Sequence, residues 1–496
     1  MSSTKKKLTI NATSSMIQVA FTAILYFFLY KYLLNSLGVK QLGVWSLILS
    51  FSSIANLANL GLTSGLVKFV AEYIAEKKEV KIGKLILTSF ISLAILFTCV
   101  SFFILFGAKY FLHFVIDDQF LNVAFSILPF SLASLCINAA SGVFTSVLEG
   151  YQKNYIRNFI YIFSGIVMYI GTIFLTPVFA LRGVAIAQLI QSLFILFAAF
   201  IFILKVDPFN RIKYWKWSNQ SFKELFNYGY KFQVVSICQL LYEPTTKLLL
   251  SKFGGLALLG NYEMASRLVN QFRALLVSAN QVVIPVIAET VKTKTKEYQL
   301  DFYANMNRLV LLFTFPLSAL LIALVPIISI FWIGEINLDF TFSMYVLTIS
   351  AIFNIMCGPA YFSCMGEGRL SILVYVHALM AVLNLVLGYL LGLWFGGYGI
   401  IIAWGSTLTI GSILISVIYT KKIGLSFKQI FTMNEKWILI LSTFYILGFI
   451  CLFSINIPEL NIYIKSLICY VMLLFYIPII LKNSGIMSLL LKVKRR

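Results

Sequence analysis

The 496 residues are 60% hydrophobic and 11% charged, with a mean hydropathy of +0.92, well beyond what a soluble domain needs to fill its core. Most of the chain must therefore lie in lipid. The formal net charge of +21 raises the question of a nucleic-acid or anionic partner, which only the positions of the basic residues can answer.

A helix needs roughly 20 apolar residues to cross the hydrocarbon layer. Such runs recur along the chain at 12–34, 42–67, 84–107, 120–147, 155–178, 182–204, 228–251, 256–288, 304–333, 340–364, 370–395, 398–420, 437–456 and 462–481. The fold class that follows is all-α integral membrane, with about fourteen transmembrane helices. Lys5, Lys6 and Lys7 before the first run give it the charge order of a signal peptide. Its length and the lack of a small-residue cleavage site make it a retained helix.

The first helix carries Tyr26 and Lys31, and the second Asn56, Asn59 and Lys68. Between the sixth and seventh runs lies a basic, aromatic segment, Lys205 to Lys231, expected to hold an interfacial helix around Ser221 to Tyr230. The seventh helix has Gln239, Tyr242, Glu243, Pro244 and Lys247, and the proline should kink it. The eighth has a polar stripe at three- and four-residue steps: Glu263, Arg267, Asn270, Gln271, Ala274, Ser278 and Gln281, with Arg273 beside it. His377 reads as a packed residue, and Asn384 and Gln188 as hydrogen bonders between helices. The seven cysteines show no metal-ligand or CxxC spacing.

The loops alternate in charge. Counting along the chain, 29 of the 39 Lys and Arg fall on one side, the side of both termini. The positive-inside rule then makes both termini cytoplasmic, as an even helix number also requires. The basic balance is a topology signal, and nucleic acid is not expected as a partner.

The sequence repeats itself. Residues 42–78 lie against 259–295 at an offset of 217, matching Gly43 with Gly260, Ala71 with Ala288 and Glu72 with Glu289. Leu148-Glu149-Gly150 falls against Gly366-Glu367-Gly368, and the run from Arg182 against the run from Tyr398. Two pseudo-symmetric six-helix bundles follow, related by an axis along the membrane normal. The expected domains are 1–210, a linker with its interfacial helix at 211–227, 228–430, and 431–496 with two additional helices and a basic tail.

A charge at mid-membrane costs on the order of 2.5–3.5 kcal/mol on insertion scales, so each one needs a partner or a wet cavity. Helices 1, 2, 7 and 8, corresponding elements of the two halves, hold the candidates and point to a cationic cavity. Arg267 and Arg273, then Lys31, Lys68 and Lys247, are the candidate anion ligands, because guanidinium groups match phosphate in a bidentate manner. Asn56, Asn59, Asn270, Gln271 and Tyr242 are candidate polar contacts, with Glu243 and Glu263 in the same constellation. Other readings stand beside these. Glu263 with Arg267, and Glu243 with Lys247, have the four-residue spacing of intrahelical pairs, and Lys31 and Lys247 sit where they can snorkel to the outer interface. No phosphate-loop motif occurs, and no loop is long enough for a soluble catalytic domain.

The paired six-helix layout with two extra helices, the run Leu37-Gly38-Val39-Lys40-Gln41-Leu42-Gly43-Val44-Trp45 leading to Leu60-Gly61-Leu62, and the Leu148-Glu149-Gly150 turn resemble the polysaccharide-transport branch of the MATE-like exporter superfamily. Within it the chain looks like a Wzx-type repeat-unit flippase. The resemblance implies a non-enzymatic transporter of a polyprenyl-pyrophosphate-linked glycan, moving from the cytoplasmic to the periplasmic leaflet of a bacterial inner membrane by alternating access. It further implies a monomer with no cofactor, proton or sodium coupling as in related transporters, and a polysaccharide polymerase and chain-length machinery as partners. A cation-coupled drug exporter is the alternative, with a membrane glycosyltransferase or polymerase behind it.

Overall fold

In the computed structural model the described residues are 3–55, 62–206, 211–227, 242–281, 295–367, 369–425 and 433–454. They form α1 (Ser3–Leu37), α2 (Val39–Ala55), α3 (Leu62–Ala75), α4 (Glu79–Phe111), α5 (Asp118–Gly150), α6 (Asn154–Phe179) and α7 (Leu181–Val206). A short helix α8 covers 219–227. After it come α9 (Tyr242–Gln281), α10 (Lys296–Ile333), α11 (Leu338–Met356), α12 (Gly358–Gly366), α13 (Leu370–Ile423) and α14 (Met433–Ser454). Every expected span contains helix except the last, 462–481, which lies outside the described residues. Among the described residues eight helices are long and apolar enough to cross a membrane.

One expected span is split: the tenth becomes α11 and α12, because Pro359 in the first turn of α12 removes a backbone donor. Within the second expected span lie α2 and the start of α3, with 56–61 outside the described residues. Conversely, α9 and α13 each contain two spans joined by a reversal at a glycine. In a straight helix Lys247 and Glu263 would sit about 24 Å apart along the axis, yet their side chains meet at 2.7 Å. The chain doubles back at Gly255 (φ 75°, ψ 172°), and Gly396 (φ 59°, ψ −144°) does the same in α13. Both angles belong to a region that side chains with a Cβ rarely adopt. Pro244 lies in the first described turn of α9, and the preceding residues that its kink would affect, 228–241, are outside the described set.

The repeat is visible in the backbone. Gly38 (φ 79°) ends α1 as Gly255, 217 residues later, ends the first limb of α9. Ala180 (φ 49°, ψ −134°), between α6 and α7, has nearly the angles of Gly396, 216 residues on. A Cβ on Gly183 would meet the Leu175 carbonyl, and one on Gly399 the equivalent Leu391 carbonyl. In the turns after the fourth helix of each repeat the matched Glu149 and Glu367 each pair with an arginine, Arg157 eight residues on and Arg369 two residues on at 2.9 Å.

Two compact units divide the chain: Met1–Glu263 with Asn384–Ile400, and Met264–Leu383 with Ile401–Arg496. In the first, α5 is central, packing on α2, α3, α4 and α7. Its buried Ser131, Ser134, Ser141 and Thr145 permit close helix approach, and Ser134 and Ser192 hydroxyls meet at 2.5 Å with the Asn138 amide donating to Ser192 at 2.9 Å. The linker residues dock on this unit as well. The Ser218 amide donates to Thr88 Oγ1 at 3.0 Å, Trp215 stacks on Phe144, and Tyr73 Oη donates to Glu224 Oε2 at 2.7 Å. Burial and that bond push the Tyr73 phenol up from its ordinary pKa. In the second unit, Leu311, Leu312, Ile322, Ile352, Ile438 and Phe449 form the core among α10, α11 and α14.

The opposite faces are apolar and exposed. Phe159, Phe163, Ile170 and Phe174 line one side of α6, and Leu379, Val382, Leu385 and Val386 one side of α13. Faces of this kind suit lipid, where every backbone group is already satisfied within its own helix.

Candidate functional site

The structure gathers part of the expected constellation around one buried ion pair. Lys247, on the first limb of α9, is 0% exposed, and Glu263, on the second limb, is 1% exposed. Lys247 Nζ lies 2.7 Å from Glu263 Oε2 and 2.7 Å from Glu243 Oε1, one turn earlier. Glu263 accepts two further bonds from repeat one: Tyr30 Oη donates to its Oε1 at 3.0 Å, and Ser46 Oγ to its Oε2 at 2.7 Å. Buried charges of this kind are tolerable only when paired and hydrogen-bonded, and the Glu263 carboxylate has three donors.

Lys247 is therefore buried between two carboxylates rather than extended to an interface, and in this arrangement its charge is balanced by Glu243 and Glu263. Glu243 does pair with Lys247 at four-residue spacing, while Glu263 takes a partner sixteen residues before it across the Gly255 reversal.

Sequence reasoning missed Tyr30 and Ser46, though the repeat held the signal. Ser46 and Glu263 are 217 residues apart, as are Tyr30 and Lys247, so four of the cluster's five residues form two pairs of repeat mates. The backbone beside it is reciprocal. A Cβ on Gly43 would lie 2.0 Å from the Leu256 carbonyl oxygen, and one on Gly260 would lie 2.2 Å from that of Val39. Since 39 and 256 are also 217 apart, each repeat makes the same contact to the other, the signature of a two-fold axis. The charge is not shared symmetrically, because all three ions, Glu243, Lys247 and Glu263, come from repeat two and repeat one contributes neutral hydroxyls. Helices of the two repeats can thus separate here without pulling opposite charges apart.

The other expected residues are distributed elsewhere. Asn384 donates to the Tyr242 carbonyl at 3.3 Å and to Thr246 Oγ1 at 3.1 Å, so Tyr242 is buried in the anchorage of α9. Lys31 is half-buried, and Lys68 is exposed with its Nζ 5.1 Å from the centre of the Phe69 ring. Asn56 and Asn59 lie outside the described residues. Further along the second limb of α9, in the other compact unit, come Arg267 and Gln271, half-buried, and Asn270, exposed and donating to Ser266 at 3.2 Å.

Arg273 is half-buried and donates from Nη1 to Asn354 Oδ1 at 2.6 Å, and Asn354 in turn donates to Ser412 Oγ at 3.2 Å. No carboxylate among the described residues pairs with it. A guanidinium oriented by a neutral amide keeps its charge and its remaining N–H groups for an anion. Nothing in the local sequence pointed to Asn354, 81 residues away. His377 packs edge-on to Tyr361, and no group of three or more His, Cys, Asp or Glu among the described residues is placed to hold a metal.

Residues 34–336 match the family described as polysaccharide biosynthesis protein. A Shigella flexneri protein named as an O-antigen transporter is 23% identical over 400 residues, covering 79% of this chain and 92% of its own. An uncharacterized membrane protein of Methanocaldococcus jannaschii is 24% identical over 390 residues, 76% and 88% of the two chains. Among solved structures, the lipid II flippase MurJ in an inward closed conformation superimposes with a TM-score of 0.73 over 96% of this chain and 98% of its own, at 18% identity. An inward-facing multidrug resistance MATE transporter of the MOP superfamily gives 0.71 over 81% and 94%, at 14% identity.

Proposed function

The chain belongs to the polysaccharide biosynthesis protein family, and we propose that it flips a polyprenyl-pyrophosphate-linked oligosaccharide from the cytoplasmic to the periplasmic leaflet of a bacterial inner membrane. The observation that carries this reading is Arg273, a half-buried guanidinium held by the neutral Asn354. A group arranged in that way attracts a pyrophosphate, with Arg267 on the same limb as second ligand. The name of the Shigella relative supports the glycan end of the substrate. A glycan cannot cross lipid alone, because each unsatisfied polar group costs several kcal/mol there.

Transport needs the two ends of the path to open in turn. With cytoplasmic termini, the turns at Gly38 and Gly255 lie on the outer side, so the Gly43–Gly260 crossing and the Lys247–Glu263 cluster form a seam at the outer end. Opening it replaces the Tyr30 and Ser46 bonds to Glu263 by water and leaves Lys247 on Glu263. With a negative interior, outward movement of an anionic headgroup is favoured by about 2.3 kcal/mol per charge per 100 mV. An exporter of cationic drugs would instead need an available carboxylate, and Glu263 is engaged by three donors.

The test is complementation of a strain lacking the protein. Arg267→Ala and Arg273→Ala should insert normally and abolish surface polysaccharide. Full polymer levels from both variants would refute the phosphate role.

A further inference from the structure

We propose that a cavity among α1, α6 and α7, wholly inside the first compact unit, is a subsite for one neutral sugar ring of the transported glycan. The proposal rests on the flippase reading above and adds to it where the carbohydrate is held.

The cavity has a volume of about 230 Å³. Its wall includes Gln18, Thr22 and Tyr26 of α1, Ser164 and Tyr169 of α6, and Gln191 of α7. These positions lie near the middle of their helices, hence near mid-membrane, where amides and hydroxyls are costly unless they face a polar ligand or water. They also face inward. The exposed apolar positions of α1, such as Ile17, Ile24 and Phe28, and of α6, such as Phe163, Ile170 and Phe174, fall on other sides of those helices. Leu25, Leu29 and Met168 also line the wall, so amides and hydroxyls stand beside apolar surface.

No Asp, Glu, Lys, Arg or His lines the cavity, so its ligand is neither drawn by charge nor required to carry one. The amides have capacity for a donor. Gln18 Nε2 donates to Thr22 Oγ1 at 3.2 Å and Gln191 Nε2 to Ser164 Oγ at 3.5 Å, and among the described residues neither amide oxygen has a protein donor. Two acceptor oxygens, hydroxyls that can donate or accept, and tyrosine faces for the C–H side of a ring match a pyranose. The volume is below the about 300–1,000 Å³ usual for larger ligands, which limits the cavity to a single ring.

The experiment measures binding of two probes to the full-length protein by native mass spectrometry: undecaprenyl pyrophosphate, and the same carrier bearing one N-acetylglucosamine. The wild type should prefer the glycosylated carrier by about tenfold, equivalent to about 1.4 kcal/mol. The double variant Gln18→Leu with Gln191→Leu should lose that preference and still bind the bare carrier. Tyr169→Ala gives the same comparison if the double variant fails to accumulate. Equal binding of both probes by the wild type, or an undiminished preference in the variants, overturns the sugar subsite and leaves the flippase reading standing. Binding of neither probe overturns both.

Discussion

Replacing Lys247 by Met should destabilise the protein more than any other single change in the buried cluster. The substitution removes the ammonium group from Glu263, 1% exposed, leaving the Tyr30 and Ser46 bonds, while Glu243, whose side chain is 48% exposed, can turn to water. Breaking a buried pair by removing one partner costs about 3–5 kcal/mol. Glu263→Gln should cost less, because Lys247 keeps Glu243 at 2.7 Å. Tyr30→Phe removes one hydrogen bond to a charged group, about 1.5–3 kcal/mol. Combining Lys247→Met with Glu263→Gln removes both buried ions, so the double variant should be more stable than Lys247→Met alone. Their coupling energy should approach the upper part of the about 0.5–3 kcal/mol range for contacting residues. Equilibrium unfolding in mixed micelles, followed by tryptophan fluorescence, gives the four free energies. Strict additivity, or a loss below about 1 kcal/mol for Lys247→Met, the range of exposed pairs, would show that the pair is solvated and the seam is not sealed as described.

A side chain at the reciprocal crossing should force the helices apart, since the new Cβ of Gly43→Val or Gly260→Val would lie 2.0 or 2.2 Å from a carbonyl oxygen. A cysteine at the fully buried Leu42 should then become reactive to an impermeant maleimide added outside the cell, and unchanged labelling would refute the outer seam. The matched turns predict opposite effects: Gly396→Ala should cost about 1–3 kcal/mol, whereas Ala180→Gly, which relieves the same backbone angles, should be neutral or stabilising by up to about 1 kcal/mol in an unfolding experiment. A loss of stability in Ala180→Gly would contradict the shared geometry. Green fluorescent protein fused after Arg496 should fluoresce and alkaline phosphatase there should be inactive, and the reverse pattern would overturn the cytoplasmic assignment of the C-terminus.

Hydropathy marked the spans because the membrane acts on each stretch of some twenty residues almost independently of the rest of the chain. The offset of 217 was readable for a related reason: equivalent positions bear the same packing demands, as Gly43 and Gly260 do at their crossing. Positions of reversal such as Gly255 and Gly396 were legible as breaks, since a run of apolar residues twice the membrane thickness must turn. Partners were not legible in this way. Local spacing offered Lys247 as a cavity cation or the mate of Glu243, and Glu263 as the mate of Arg267, because spacing is all that a linear reading provides. The Gly255 reversal also faces Lys247 toward Glu263, and α1 and α2 bring Tyr30 and Ser46 to the same carboxylate. Arg273 and Lys247 differ in what folding places beside them, an amide 81 residues away in one case and two carboxylates in the other. Whether a membrane-embedded charge is neutralised or available depends on the few ångströms around its head group, and only the packing of helices distant in sequence decides which atoms lie there.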